Sequence, residues 1–211
     1  MTGWTLALDV DGVLLDSDRA GRGHWTVELE QRLGLRRADL DAAFFVPFWK
    51  DVLTGRRPIE PALGEALSAM GATATVDEVL ECWFEADFVA FPRAVELASD
   101  AAACGVRVIL ATNQEHRRAQ FLRERFSSQF PIAHVVYSAA VGAQKHRSAF
   151  FEAASASLSV RHEDRQRILF VDDQARNVSV AQAAGWGGTV ADAQGEWIDV
   201  VRTHPMMQPR A

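Results

Sequence analysis

The chain has 211 residues, of which 48% are apolar, and its net charge is −6. This length suffices for one large domain, or for a core domain with a smaller one, and the apolar residues suffice for a sizeable core. The acidic balance, without any basic run, argues against nucleic acid or a membrane surface as a partner. No apolar run approaches the ~18 residues of a membrane span.

The two cysteines, Cys82 and Cys104, have neither the spacing of metal ligands nor that of a disulfide framework. The first residues lack the basic leader that begins a signal peptide. We therefore expect a cytoplasmic protein, either a monomer or a homodimer.

The first predicted element is a buried strand, because the apolar run from Trp4 to Leu8 stops abruptly at Asp9. Asp11 and Gly12 follow at once. In open α/β sheets, ligands gather just beyond the carboxyl ends of such strands. The two carboxylates therefore stand at a candidate reaction site.

In the next part of the chain, which is rich in aromatic residues, the sequence pattern predicts only helices. The predicted helices span residues 25–33, residues 37–53, Pro58 or Pro61 to about Met70, and the stretch after the capping pattern Thr75–Glu78. Pro47 is expected to kink or break the second of these helices. Phe91-Pro92 closes the block.

From residue 93 onward, predicted strands alternate with predicted helices. The predicted strands span residues 106–111, 134–137, 167–171 and 188–190. The predicted helices span residues 93–104, 115–126, Lys145 to about Leu158, 175–184 and 197–201. The last residues, from His204, are expected to form a loose tail.

This alternation is typical of an α/β fold with a doubly wound, Rossmann-like parallel sheet. The first two strands are separated by far more chain than the roughly 12 residues that a crossover requires. The surplus predicts an all-helical cap over residues 17–91, inserted into a catalytic core of residues 1–16 and 92–211.

Polar side chains follow four of the predicted strands. They are Asp9 with Asp11, Thr112 with Asn113, Lys145, and Asp172 with Asp173. The carboxyl ends of parallel strands open on one edge of the sheet, so these groups should meet. Two carboxylates ~4 Å apart repel by roughly 4 kcal/mol at an effective dielectric constant near 20. Such a cluster requires protons or a hard divalent cation, most simply Mg²⁺, and with a lysine beside it the site suits an incoming phosphate.

The order and spacing of these groups resemble the four signatures of the haloacid dehalogenase-like (HAD) hydrolase superfamily, over nearly the whole chain. The matching pieces are Asp-Val-Asp-Gly-Val at residues 9–13, Thr112-Asn113, Lys145, and Asp172-Asp173 with Asn177-Val178 beyond. The acid at position 11 resembles the phosphatase branch, because the dehalogenase branch lacks an acid there. The resemblance implies a Mg²⁺-dependent phosphatase that acts on a small phosphorylated metabolite and carries a helical cap after its first strand.

The same resemblance implies a role for each matched residue. Asp9 would be the nucleophile that forms an aspartyl-phosphate, and Asp11 would be the general acid and then the base. The implied phosphate-binding groups are Asp9, Gly12, Thr112, Asn113 and Lys145. The implied metal ligands are Asp9, Asp173, the backbone carbonyl of Asp11, and Asp172 either directly or through water. Asn177 would brace the loop that carries the last acid pair.

Two expectations concern the surroundings of the site. Many relatives have a proline after the lysine, whereas this chain has His146, so the turn at Lys145 is expected to differ. Arg147 or Lys50 would replace Lys145 if it points away. From the cap, the expected substrate contacts are Trp49, Lys50, Arg56 and Arg57.

Three other interpretations remain open at this point. The same site would serve a phosphotransferase or sugar-phosphate mutase. A phospho-aspartate signalling module, like a response-regulator receiver, also places acids, a threonine and a lysine at strand ends, but it has no place for the helical insertion. A binding or scaffold protein would not need the intact acid set. The substrate itself stays open, because cap residues follow no local code.

Overall fold

The computed structural model of the protein describes residues 3–16 and 24–208, so residues 17–23 of the predicted cap lie outside the described part. Its five strands are β1 (Thr5–Leu8), β2 (Arg107–Thr112), β3 (His134–Tyr137), β4 (Ile168–Asp172) and β5 (Gly187–Val190). They form one sheet in the order β3-β2-β1-β4-β5, and every neighbouring pair is parallel. The predicted α/β fold with a doubly wound parallel sheet is confirmed.

Helices occupy most of the remaining described chain. In chain order they are α1 (His24–Leu33), α2 (Arg37–Leu40), a π-helical segment (Asp41–Phe45), α3 (Val46–Val52), α4 (Ile59–Ala69), α5 (Val76–Ala86), α6 (Pro92–Ala103), α7 (His116–Ser127), α8 (Ser138–Val141), α9 (Ser148–Ser157), a 3-10 helix (His162–Arg167), α10 (Ala175–Ala183), α11 (Glu196–Arg202) and a 3-10 helix (Pro205–Met207). No helix of the described part is both long and apolar enough to cross a membrane.

The alternation of side chains along β1 explains why helices cover both faces of the sheet. Leu6 and Leu8 point into one apolar cluster, which also contains buried residues of α6, α7 and α11. Ala7, between them, belongs to a second cluster with buried residues of α9 and α10. Successive residues of a strand face opposite sides, so a strand that is apolar throughout has to be covered twice.

The helices α1 to α5, residues His24–Ala86, are inserted between β1 and β2, and we refer to them as the helical insertion. They have an apolar core of their own, separate from the two clusters on the sheet. The linkers to the sheet run side by side, since Asp16 N donates to Val89 O at 2.8 Å and Phe91 N donates to Leu14 O at 2.8 Å. The predicted domain boundaries lie close to these linkers, and the division into two domains stays a prediction.

Two local expectations need correction. The helix predicted at residues 37–53 is present, but its middle is π-helical, and Pro47 lies in the first turn of α3. Pro47 has no N–H to donate, and the regular α-helical pattern changes directly before it, where Val46 N donates to Asp41 O across the π-helical segment. The expected loose tail is wrong for residues 204–207, because the last 3-10 helix buries Met206 against the sheet cluster.

Candidate active site

The three central strands bring the predicted acids together at one edge of the sheet. Asp9 directly follows β1, and Asp172 is the last residue of the neighbouring β4. Asp9 N donates to Val171 O at 2.9 Å, which fixes the two strand ends in register. One carboxylate oxygen each from Asp9, Asp172 and Asp173 lies within 4.8 Å of the others. Thr112, 1% exposed, ends β2 on the other side of β1.

Lys145 reaches the acids from the turn before α9. Its backbone N–H donates to Asn113 Oδ1 at 2.9 Å, which ties this turn to the end of β2. Its side chain is buried, and Nζ contacts Asp172 Oδ2 at 2.7 Å and also Asp9 Oδ2. The ammonium group therefore lies between two carboxylates.

The turn that carries Lys145 forms with His146, and not a proline, after the lysine. Arg147 N donates to Gln144 O at 3.0 Å, so Lys145 and His146 are the central residues of the turn. His146 is partly buried, and burial lowers the pKa of its imidazole. Arg147 and Lys50 are exposed. The geometry gives neither of them the position that Lys145 takes.

The charges of this cluster do not balance, because two buried carboxylates share one ammonium group. Burial raises the pKa of Asp9 to about 7, although Lys145 opposes the shift, and the charge of Asp172 raises it further. Burial lowers the pKa of Lys145, but the two carboxylates together raise it above its ordinary value. The lysine therefore stays charged, and Asp9 is the group that takes up a proton when no other cation is present.

Asp172 is fully buried, and both of its carboxylate oxygens have partners. Oδ2 accepts from Lys145 Nζ, and Oδ1 accepts from Gln174 N at 2.8 Å. Asn177 Nδ2 lies 3.0 and 3.2 Å from the two oxygens, in the bracing position expected for it. A carboxylate held by this many donors is better suited to orient Lys145, or a metal-bound water, than to bind an ion directly.

Asp173 is more accessible than Asp172. It is half-buried, and burial raises its pKa. One oxygen accepts from Gln174 Nε2 at 2.7 Å. Gly12, at φ +81°, passes so close that an added Cβ would lie 2.8 Å from Asp173 Cγ. The loop after β1 thus lies against this carboxylate, and a set of oxygen donors only, as offered by Asp9 and Asp173, fits Mg²⁺.

The carboxylate of Asp11 points away from this cluster. Its Oδ2 accepts from Gln114 Nε2 at 2.6 Å, and its Oδ1 accepts from Arg118 Nη2 at 2.9 Å. Arg118, buried in the first turn of α7, also pairs with Asp87 at the end of α5. This placement leaves the backbone carbonyl of Asp11, and not its side chain, as its implied metal ligand.

Sequence reasoning missed Gln114, Arg118 and Asp87. Gln114 immediately follows Thr112-Asn113, so its position was a usable signal. Arg118 carried no such signal, because nearly every basic residue of this chain is an arginine. Its position depends on the buried Glu115, whose carboxylate accepts from Arg117 N at 2.8 Å and from Arg118 N and thereby caps α7.

A cavity of about 310 Å³ lies between the helical insertion and the sheet edge. Among the described residues, its lining consists of Asp11, Trp25, Trp49, Leu53, Trp83, Asp87, Asn113, Gln114 and Arg118. The residue expected to protonate a leaving group therefore lines the same cavity as three tryptophans of the helical insertion.

The four expected cap contacts are not all at this cavity. Trp49 lines it, whereas Lys50 is exposed and is not among the described lining residues. Arg56 pairs with Asp51 at 2.6 Å, and Arg57 pairs with a glutamate of α4. The two arginines thus make ion pairs within the helical insertion.

A family model for haloacid dehalogenase-like hydrolases matches residues 5–185. The chain belongs to this family of hydrolases. No curated protein matches the chain significantly.

Solved structures show the same fold at low sequence identity. An HAD family enzyme from Bacteroides thetaiotaomicron, an aspartate-to-alanine mutant in complex with magnesium and inorganic phosphate, has a TM-score of 0.74 at 16% identity, over 94% of this chain and 98% of that one. An HAD-like family hydrolase from Porphyromonas gingivalis has a TM-score of 0.71 at 20% identity, over 95% and 97%. An L-2-haloacid dehalogenase has a TM-score of 0.63 at 15% identity, over 89% and 83%.

Proposed function

We propose that the protein is a Mg²⁺-dependent phosphatase that hydrolyses small phosphate monoesters through an aspartyl-phosphate on Asp9. The observation that carries this proposal is the pair of differently placed carboxylates. Asp9 is buried against Lys145, whereas Asp11 is held at the cavity by Gln114 and Arg118. A nucleophile at the phosphorus atom and an acid on the leaving-group side require these two positions.

In the first step, an Asp9 oxygen forms a bond to phosphorus, the ester P–O bond breaks, and Asp11 gives its proton to the departing alcohol oxygen. In the second step, a water molecule attacks phosphorus, Asp11 takes a proton from that water, and the bond to Asp9 breaks to release phosphate. Thr112 and the backbone N–H of Asn113 hold phosphate oxygens. Lys145 neutralises the nucleophile and the incoming phosphate.

The residues proposed to hold Mg²⁺ are Asp9, Asp173 and the carbonyl of Asp11, with Asp172 acting through a water molecule. When bound, the ion neutralises negative charge on the phosphoryl group. The magnesium and phosphate complex of the Bacteroides thetaiotaomicron enzyme supports this proposal by likeness of fold. We expect the protein to be cytoplasmic and either monomeric or homodimeric. Its expected partner is a small phosphorylated metabolite.

The test is phosphate release from a panel of phosphate monoesters with Mg²⁺. Asp9→Asn should abolish it, and Asp11→Asn should lower kcat by about 10²- to 10⁴-fold, the usual size of general acid–base catalysis. Asp199→Asn, on an exposed part of α11, is the control and should keep full activity.

Two outcomes would replace the proposal. Dehalogenases share the fold, and halide release from a 2-haloacid by a protein inert towards every phosphate ester would favour that activity. Transfer of the phosphoryl group to a second hydroxyl, detected by phosphorus NMR, would favour a phosphotransferase or mutase.

A further inference from the structure

We infer that the leaving group accepted at this site is a small, uncharged aromatic group, so that the substrates are phosphate monoesters of aromatic alcohols. The inference rests on the proposed phosphatase function and adds a substrate class to it. It follows from the cavity that Asp11 shares with Trp25, Trp49 and Trp83. An alcohol oxygen that receives its proton from Asp11 has its carbon substituent in this cavity.

The indole wall of the cavity is held in place by its own contacts. Trp25 stacks on Trp83, with ring centroids 4.8 Å apart and planes 23° apart. Trp49 lies 5.7 Å from Trp83 at an angle of 46°, and Phe45 contacts all three indoles at 5.3 to 5.9 Å. A fixed wall of tilted and stacked rings favours a flat ring, which makes offset or edge-to-face contacts, over a saturated ring of similar size.

The charges around the cavity disfavour a second anionic group. Its described lining has two carboxylates, Asp11 and Asp87, and one cation, Arg118, which pairs with both of them. The three cations expected from the helical insertion are not among these lining residues. When Asp11 carries the proton for the leaving group, Arg118 and Asp87 balance each other, so a carboxylate or second phosphate on the leaving group would find no cation left to pair with it.

The cavity is small and open to solvent. A volume of about 310 Å³ is at the lower end of the range of roughly 300–1,000 Å³ for ligand sites. One small ring system beside the ester oxygen fits this space, and Asn113 and Gln114 are the polar residues that line it beside the charged ones.

Three esters of primary alcohols test the inference, because their chemical reactivity is closely similar. They are benzyl phosphate, cyclohexylmethyl phosphate and 4-carboxybenzyl phosphate. We expect kcat/KM for benzyl phosphate to exceed that for cyclohexylmethyl phosphate by roughly threefold to tenfold. The added carboxylate should lower kcat/KM on the order of tenfold relative to benzyl phosphate.

The ratio of the first two values is the readout for variants, because it does not depend on how much of the enzyme is folded. Trp49→Leu should bring the ratio of benzyl to cyclohexylmethyl phosphate close to one. Val46→Ala is the matched control, since Val46 begins the same helix α3 but is 82% exposed, and it should keep the wild-type ratio.

Equal or reversed preference between the two uncharged esters overturns the inference, and so does a preference for the carboxylated ester. Phosphate release from methyl phosphate, with none from the benzyl ester, overturns the inference but leaves the proposed phosphatase standing. A wild-type protein that hydrolyses no phosphate ester with Mg²⁺ overturns the proposed function itself.

Discussion

At the scale of single residues, the two lysines of the chain occupy opposite environments. Lys145 is 2% exposed and contacts Asp9 and Asp172, whereas Lys50 is exposed on α3. Removing one partner of a buried ion pair leaves an uncompensated charge and typically costs about 3–5 kcal/mol. The stability of the sheet edge therefore depends on one ammonium group.

We predict that Lys145→Met lowers the free energy of unfolding by about 3–5 kcal/mol at pH 8, measured by urea denaturation without added metal. The loss should be smaller at pH 5, because the unpaired carboxyl groups then take up protons. Lys50→Met is the matched control and should change stability by less than about 0.5 kcal/mol. Equal effects of the two substitutions would contradict the buried position of Lys145.

The raised pKa of Asp9 predicts a pH dependence of stability for the metal-free protein. Its folded-state pKa of about 7 exceeds the ordinary value of 3.8, so the folded protein binds this proton more tightly between those values. Its contribution to stability is therefore fully present below about pH 4, falls as the pH rises to about 7, and stays lost above it.

Asp9→Asn removes this titration. In urea denaturation with a chelator present, the variant should gain about 3 kcal/mol relative to wild type between pH 5 and pH 8, because about two pH units of this range lie below the folded-state pKa of Asp9. The opposite result, in which the wild type gains stability relative to the variant as the pH rises, would show that burial does not set the pKa of Asp9.

At the scale of elements, the backbone of the turn between α3 and α4 lies against the backbone of α8. Gly55 has φ +68°, and a Cβ added there would collide with the carbonyl oxygen of Ala139 in α8. Gly71, at the end of α4, has φ +65° and no atom within 4 Å of such a Cβ. Both glycines have a backbone conformation that would strain any other residue, but only Gly55 also lies close to the backbone of another element.

We predict that Gly55→Ala destabilises the protein more than Gly71→Ala does. Both substitutions pay the left-handed backbone penalty of about 1–2 kcal/mol, but only Gly55→Ala pushes the helical insertion away from α8. Urea denaturation gives the difference, and faster amide exchange in α3 and α8 should accompany Gly55→Ala alone. Equal losses would mean that the close approach is not maintained in solution.

The three central strands were predictable because each is a short, mainly apolar run that ends in a polar residue, as β1 does at Asp9 and β4 at Asp172. This pattern reflects burial on both faces of the sheet, which is a local requirement. The π-helical segment and α8 were not predictable, because π-helical geometry and a helix of four residues leave no periodic signal. The ion pair of Arg118 with Asp87 joins elements distant in sequence, so no spacing indicates it.

At the scale of the whole molecule, the acids proposed as Mg²⁺ ligands all belong to the sheet and its loops, and the helical insertion has a separate core. An ion that binds only the folded state stabilises it by mass action. It binds more weakly at low pH, because its carboxylate ligands then have to lose protons first.

We predict that Mg²⁺ raises the Tm at pH 8, that the rise is smaller at pH 5.5, and that Asp173→Asn removes it. Asp199→Asn should keep the full rise. Hydrogen exchange should slow in β1 and β4 more than in α4. A Tm that Mg²⁺ leaves unchanged at pH 8 would count against the proposed metal site.

The paired linkers have an evolutionary consequence. Because Asp16 N and Val89 O are hydrogen-bonded at 2.8 Å, the chain leaves the sheet layer and returns to it at one point. A short reverse turn would span that gap without changing the strand order. A change in the length or number of the helices therefore leaves the strand order intact, whereas any change that removes Asp87 also removes a partner of the arginine that holds Asp11.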